Sequence, residues 1–240
     1  ILLGLEDSCR LSLIQVNDDY VKHVTIAVVH ESTNITDTNH LIQMYPDRFN
    51  SSIGKFNDKA HLTLKEGAVP VVQAPRKCPI HLKAEIQSTL DKMEKEGIIE
   101  KVPQGKPTEW LSNLAYTRKP NGKLRICLDP RDINANLKRT HHRHPTVEEI
   151  THKLSGAKVF SKLDARNGFW SIEMDDESSL LTAFSSPASN QRYMFRRLPF
   201  GLCVSQDLFA EAMDNILRGL EGVIVKADDI IVYGSSDDSH

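Results

Sequence analysis

Gly222-Val223-Ile224-Val225-Lys226-Ala227-Asp228-Asp229-Ile230-Ile231-Val232-Tyr233-Gly234 is the stretch that decides the fold. Two β-branched runs, Val223 to Val225 and Ile230 to Tyr233, flank a short polar centre. That is the pattern of two strands joined by a tight turn. The spacing predicts a β-hairpin whose turn holds Asp228 and Asp229. Adjacent carboxylates on a rigid support suit hard, oxygen-seeking cations such as Mg²⁺. Aspartate is also a common turn residue for purely local reasons, so a hairpin without a metal stands beside the metal site as an alternative.

Upstream, Val159-Phe160-Ser161-Lys162-Leu163-Asp164 is an apolar segment that ends on an acid and runs through Ala165-Arg166-Asn167 into a Gly168-Phe169-Trp170 turn. In-line phosphoryl transfer with two metals needs at least two carboxylates to bridge ions roughly 3.5–4 Å apart, one ion at the attacking hydroxyl and one at the leaving pyrophosphate. Asp164 supplies the distant partner for the hairpin acids.

Leu163 to Trp170, Arg197-Leu198-Pro199-Phe200-Gly201-Leu202 and Ala227-Asp228-Asp229-Ile230 follow one another in an order and spacing that resembles the reverse transcriptases of gypsy-type LTR retrotransposons. The match is colinear from about Tyr45 to the end of the chain. The resemblance implies an α/β (α+β) fold, the fingers and palm of a right-hand polymerase with an antiparallel palm sheet backed by helices, truncated before the thumb and RNase H parts. It implies an RNA-directed DNA polymerase in which a primer 3′-hydroxyl attacks the α-phosphate of a dNTP. Two Mg²⁺ ions, with Mn²⁺ as a substitute, are expected on Asp164, Asp228 and Asp229. The backbone of Asp164 and Ala165 is expected to help ligate metal or triphosphate.

Other roles follow from the same resemblance. Phe169, five positions beyond Asp164, stands where the family carries an aromatic that clashes with a 2′-hydroxyl and so selects deoxynucleotides; a core aromatic is the plain alternative. Phe200 lies in the family's turn beside the nucleotide, where retroviral relatives often carry Gln and gypsy-type elements commonly carry Phe. Lys226 takes the place of the aromatic that usually opens the Tyr-x-Asp-Asp phrase, at the primer-template. The expected partners are an RNA or DNA template with its primer, dNTP, and the remainder of a Pol polyprotein in cis: protease, RNase H and integrase. An intracellular, cytoplasmic setting in a virus-like particle goes with that context.

The 240 residues, 40% hydrophobic and 26% charged, are ordinary for a soluble globular chain long enough to bury a core. A formal net charge of −2 argues against a generally basic nucleic-acid binder but leaves room for a local basic face. Between Arg118 and Arg143 there are eight Lys or Arg against two acids, Asp129 and Asp132. Such a cluster can neutralise phosphates, or simply be a solvated surface. Cys9, Cys78, Cys127 and Cys203 are too widely spaced for a zinc site or a disulfide framework. No run of about 18 apolar residues suggests a membrane span, and no charged-then-apolar leader opens the chain. The first residue is Ile, and the chain is expected to be a piece of a longer polypeptide.

Residues 1–40 read as a linker, with Ile1 to Ile14 resembling the end of a retroviral-type aspartic protease and a strand near Val24 to Val29; residues 41–240 read as the fingers and palm. His61 to Lys65 alternates like a strand, and Val69 to Lys77 is a Pro-interrupted arm or covering strap. Leu82, Ile86, Leu90 and Met93 recur at helical spacing, so His81 to Glu96 is predicted helical and assigned no chemistry. Ala115 to Lys119 and Leu124 to Asp129 flank Asn121-Gly122, the strongest short hairpin signal. Lys119, Lys123 and Arg125 are cations with which this hairpin can fold over a triphosphate. By resemblance it is the fingers hairpin, with Arg125 at the incoming nucleotide; a charged surface hairpin is the alternative. Asp129 and Arg131 are expected to brace the following loop and contact the template. Thr146 to Leu154 reads as a helix, Trp170 to Met174 as a strand, Thr182 to Ser185 with Tyr193 to Phe195 as a strand pair, and Ser205 to Leu217 as a helix. His141, His142, His144 and His152 lack partners at ligand spacing.

Two other readings remain open on the sequence. One is an inactive transposon-derived fragment. The other is a non-catalytic nucleic-acid-binding module, which would hold a primer-template equally well in chelator.

Overall fold

The computed structural model describes residues 38–46, 53–118, 122, 124–165, 167–189, 191–226 and 229–236, with the backbone alone at 38, 40, 41 and 164. The expected protease-like segment, the strand near Val24, and Lys119, Lys123 and Asp228 lie outside the described residues.

The helices are α1 (Thr38–Met44), α2 (Lys83–Lys95), α3 (Arg131–Asn136), α4 (Val147–Lys153), α5 (Asp176–Leu181) and α6 (Ser205–Leu217). The strands are β1 (Ile99–Lys101), β2 (Asn113–Arg118), β3 (Leu124–Asp129), β4 (Val159–Asp164), β5 (Phe184–Ser185), β6 (Arg192–Phe195), β7 (Val223–Lys226) and β8 (Asp229–Gly234). The expected boundary at residues 40 and 41 falls inside α1. The chain divides into two compact units: Ile1–Ser52 with His142–Arg166 and Ala210–His240, and Ile53–His141 with Asn167–Phe209.

The first unit carries the acid hairpin. Its three strands pair antiparallel in the order β4-β8-β7. Asp229 belongs to β8, not to the turn: it pairs with Lys226, which leaves only positions 227 and 228 between the strands. At the other end Gly222 is obligatory, since its φ is +75° and a Cβ there would stand 2.7 Å from Tyr233 O. Thr146 and Glu149 close a capping box on α4, each side chain bonded to the other's backbone N–H.

The second unit contains the β2–β3 hairpin, in register from Asn113↔Asp129 to Arg118↔Leu124, and an antiparallel sheet in the order β1-β6-β5. The apolar stripe predicted for α2 is its core face: Ile86, Leu90 and Met93 are buried where the helix packs against β1 and β3. Each such side chain contributes about 1.5–3 kcal/mol. Phe184 stacks on Tyr193 at 5.7 Å between ring centroids and leans on Phe195 at 5.4 Å.

Two strand expectations in this unit fail. Trp170 to Met174 begins as a 3-10 turn (Gly168–Ser171), and only isolated bridges follow, Glu173 to Arg197 and Met174 to Ala60. His61 to Lys65 likewise makes a single bridge, Leu64 to Leu137. In both stretches the alternation marks one buried side without a continuous partner strand. The fold is otherwise the expected mixture of helix and antiparallel sheet. No helix among the described residues is long and apolar enough to cross a membrane.

Candidate functional site

In the first unit the ladder of β4 with β8 runs from Val159↔Gly234 to Asp164↔Asp229, so the two acids are register partners at its end. Partners in such a ladder stand about 4.5–5.5 Å apart at Cα. Residues two apart share a face of the sheet, which puts positions 162, 164, 229 and 231 together. Lys162 uses that face: its Nζ lies 2.9 Å from Asp229 Oδ2, with both side chains about two-fifths exposed (40% and 43%). Sequence reasoning passed over Lys162, although its two-residue spacing from Asp164 signals it.

Lys226 is the register partner of Asp229 on the opposite strand. Its Nζ donates to Pro145 O at 2.8 Å, in the segment leading into α4. The same segment is held by an Arg143–Glu149 ion pair and by His142, whose Nε2 lies 2.6 Å from Asp214 Oδ2. The Thr146 backbone N–H, with help from Arg143, holds the Glu149 carboxyl below its usual range. Lys226 thus ties the hairpin to this segment.

No three His, Cys, Asp or Glu side chains gather as a metal site among the described residues. The fit of a cation therefore rests on donor chemistry and register. Asp164 and Asp229 end adjacent strands, Asp228 precedes Asp229 in the chain, and all three are hard oxygen donors of the kind Mg²⁺ takes. The donor set fits.

In the second unit three of the expected nucleotide residues come together. The Arg125 guanidinium carbon sits 4.4 Å above the Phe200 ring centroid. Phe200 in turn contacts Phe169 at 4.9 Å and Trp170 at 6.0 Å between centroids. A cation over an aromatic face is held by the ring quadrupole, by about 0.5–1 kcal/mol where exposed. Phe169 reaches this cluster through Asn167, which adopts the left-handed conformation at φ 53°. Asn tolerates that conformation better than any branched residue.

The turn bearing Phe200 is fastened to β3 and α3. Leu128 N donates to Phe200 O at 3.2 Å, Asn134 Nδ2 to Gly201 O at 2.9 Å, and Cys203 N to Asn134 Oδ1 at 2.8 Å. Gly201 has a φ of +112°, and a Cβ there would meet Leu128 O at 2.2 Å. Only glycine permits the approach.

Asp129 and Arg131 are also brought together, Arg131 Nε donating to Asp129 Oδ1 at 3.1 Å. A residue not anticipated from the sequence completes the group: Arg76 Nη2 lies 2.7 Å from Asp129 Oδ2. Nearby, burial pushes the Tyr116 phenol up to about 12, with Cys78 adding to the rise and Arg76 opposing it. Arg118 grips Glu85 of α2 with both terminal nitrogens, at 3.2 and 2.9 Å, and donates to Gly122 O at 2.8 Å. That holds the end of β2 to α2.

Comparison with known proteins bears on this arrangement. A family model described as reverse transcriptase (RNA-dependent DNA polymerase) matches residues 117–240, just over half of the chain. A retrovirus-related Pol polyprotein from transposon 412 of Drosophila melanogaster is 34% identical over 183 residues, covering 75% of this chain and 15% of the polyprotein. The crystal structure of prototype foamy virus protease-reverse transcriptase superposes with a TM-score of 0.70 at 25% identity, covering 82% of this chain and 26% of that one. A foamy viral protease-reverse transcriptase in complex with an RNA/DNA hybrid gives 0.69 at 21% identity, covering 86% and 28%. The chain thus spans a minor part of the length of the proteins it matches.

Proposed function

Because the chain belongs to the reverse transcriptase (RNA-dependent DNA polymerase) family, we propose that it supplies the acidic centre and nucleotide-facing residues of an RNA-directed DNA polymerase. In this reading the fingers and palm come from a gypsy-type Pol polyprotein acting in a cytoplasmic virus-like particle, with protease, RNase H and integrase in cis. The observation that carries the reading is the register pairing of Asp164 with Asp229.

Asp164, Asp228 and Asp229 would hold two Mg²⁺ ions, with Mn²⁺ able to replace them. When bound, the ions activate the primer 3′-hydroxyl and offset the charge that develops on the leaving pyrophosphate. The remaining tasks belong to the chain itself. Arg125 offers a fixed guanidinium to the triphosphate, oriented by its seat on Phe200. Lys119 and Lys123, which fall between β2 and β3 in the sequence, would add charge to that grip, and Ala165 follows the first acid in the chain. Phe169, backed by Phe200 and Phe209, presents a ring that excludes a 2′-hydroxyl. Lys226 holds the acid hairpin against the Pro145 carbonyl and so sets where the primer end rests. Lys162 occupies Asp229 with a cation of the protein's own, which any metal must displace or share.

Binding of Mn²⁺, read by the loss of its free-ion electron paramagnetic resonance signal, tests the acid site apart from turnover. The parental chain should bind, and an Asp164→Asn/Asp228→Asn double variant with an unchanged circular dichroism spectrum should not. Equal binding by the two would remove the assignment.

A further inference from the structure

Four phenylalanine rings in the second unit form a series that ends at Arg125. Phe56 stacks on Phe209 with ring centroids 6.1 Å apart and planes 21° from parallel. Phe209 meets Phe169 in an edge-to-face contact at 5.5 Å and 63°, and Phe169 leans on Phe200 at 4.9 Å. Phe200 in turn seats the Arg125 guanidinium. Phe209, in α6, is 1% exposed, whereas Phe56, Phe169 and Phe200 are half-buried. Phe209 is therefore the buried link between Phe56 and the ring expected at the sugar.

The segment bearing Phe56 is fastened to the turn bearing Phe169. Phe56 N donates to Ser171 O at 2.8 Å and Ala60 N to Glu173 O at 2.7 Å. Arg197, with its side chain only 14% exposed, spans the two: its Nη1 donates to Gly54 O and to Trp170 O, each at 3.2 Å. Lys55 Nζ lies 2.9 Å from Glu173 Oε2, and Arg197 Nη2 lies 3.6 Å from Oε1 of the same carboxylate. The backbone of Phe56 thus has a fixed place relative to the 3-10 turn (Gly168–Ser171). Protein interiors hold few voids, so a ring removed from Phe209 leaves a space that its neighbours fill only in part, by shifting. Exclusion of a 2′-hydroxyl works by steric clash, and contacts of that kind respond to displacements of about 1 Å.

We propose that Phe56 is a positioning residue for sugar selection: through Phe209 it sets where the Phe169 ring stands, and Arg197 registers the Phe56 segment against the turn. The inference rests on the polymerase reading, with Phe169 beside the sugar of the incoming nucleotide. It gives a task to a ring that neither motif nor spacing singles out and that lies outside residues 117–240, the stretch matched by the family model.

Single-nucleotide incorporation by the whole chain on a primed RNA template, with paired deoxy and ribo substrates, is the test, read as the ratio of kcat/KM for the two sugars. Phe56→Ala should raise the ribo-to-deoxy ratio by roughly two- to tenfold, the factor to which the worth of one aromatic pair converts. Phe56→Tyr, which keeps the ring, should hold the parental ratio, and Phe169→Val should raise it most. A merely structural Phe56 would lower the thermal midpoint and weaken both substrates alike, and the unchanged ratio would overturn the proposal. A ratio that Phe169→Val also leaves unchanged removes the reading of Phe169 beneath it, whereas a response to Phe169→Val alone removes this inference and not that reading. Fluorine NMR of the chain labelled with para-fluorophenylalanine needs no turnover. The signal lost in Phe169→Leu identifies Phe169; it should shift in Phe56→Ala and stay in place in Phe56→Tyr. A Phe169 signal at its parental position in Phe56→Ala overturns the proposal whatever the kinetics.

Discussion

Asp164 and Asp229 are the last register pair of the β4–β8 ladder, and Lys162, two residues before Asp164, reaches across to the Asp229 carboxylate at 2.9 Å. The protein's own cation competes with any ion for that carboxylate. Both partners are about two-fifths exposed, so the pair is screened and worth at most about 1 kcal/mol. Lys162→Met should therefore leave the unfolding midpoint almost unchanged and tighten Mn²⁺ binding up to about fivefold. Weaker Mn²⁺ binding in the variant would show that Lys162 supports the acid site instead of competing for it.

Gly201 is the hinge of the turn that carries Phe200. A Cβ there meets Leu128 O at 2.2 Å in a backbone already at φ +112°. Gly201→Ala should cost about 2–4 kcal/mol in urea unfolding. A loss below about 0.5 kcal/mol would mean that the turn does not lie on β3 as described.

Arg125 and Phe200 should act on nucleotide binding more than on the chemical step. Removing a cation–π seat worth about 0.5–1 kcal/mol predicts a two- to fivefold rise in the dNTP KM for Phe200→Ala, with kcat little changed. Arg125→Ala removes the proposed phosphate contact and should raise KM by roughly tenfold or more. Because Phe200 also backs Phe169, the alanine variant should accept ribonucleotides more readily. Single-nucleotide kinetics with paired deoxy and ribo substrates measure all three effects.

Asp175 contributes to the acid limb of stability. Burial raises its pKa, but the Ser178 N–H at 2.7 Å and the His61 ring at 2.6 Å outweigh burial and hold the carboxyl below the usual Asp range. A depressed folded pKa adds stability that is fully present above the unfolded value, about 3.9, and is lost as pH falls through the folded one. Thermal midpoints should therefore drop as pH goes below about 4. Asp175→Asn, which keeps an oxygen for the α5 cap, should show a shallower fall.

How far the sequence reveals this structure depends on the range of each interaction. Asn121-Gly122 and the β-branched runs around Asp228 are local signals, and both hairpins were legible from them. The stripe of Ile86, Leu90 and Met93 was equally plain because a helix face is set by its own spacing. Trp170 to Met174 misled because alternation reports one buried side and not a paired edge, and the left-handed Asn167 ahead of it turns the chain into a 3-10 coil. Arg76 was invisible for a different reason: its place is set by Asn113 and Asp129, 37 residues away in the first case and farther still in the second. Phe200 was expected near the nucleotide only by family resemblance, and its stacking under Arg125 depends on a long-range approach that Gly201 alone makes possible.

The most direct measurement is deoxynucleotide incorporation on an RNA template with a DNA primer, in Mg²⁺ or Mn²⁺, comparing the parental chain with Asp164→Asn/Asp228→Asn. Metal-dependent extension by the parental chain and none by the variant is the expected result. Extension by the variant at the parental rate, or parental extension that persists in chelator, would contradict it.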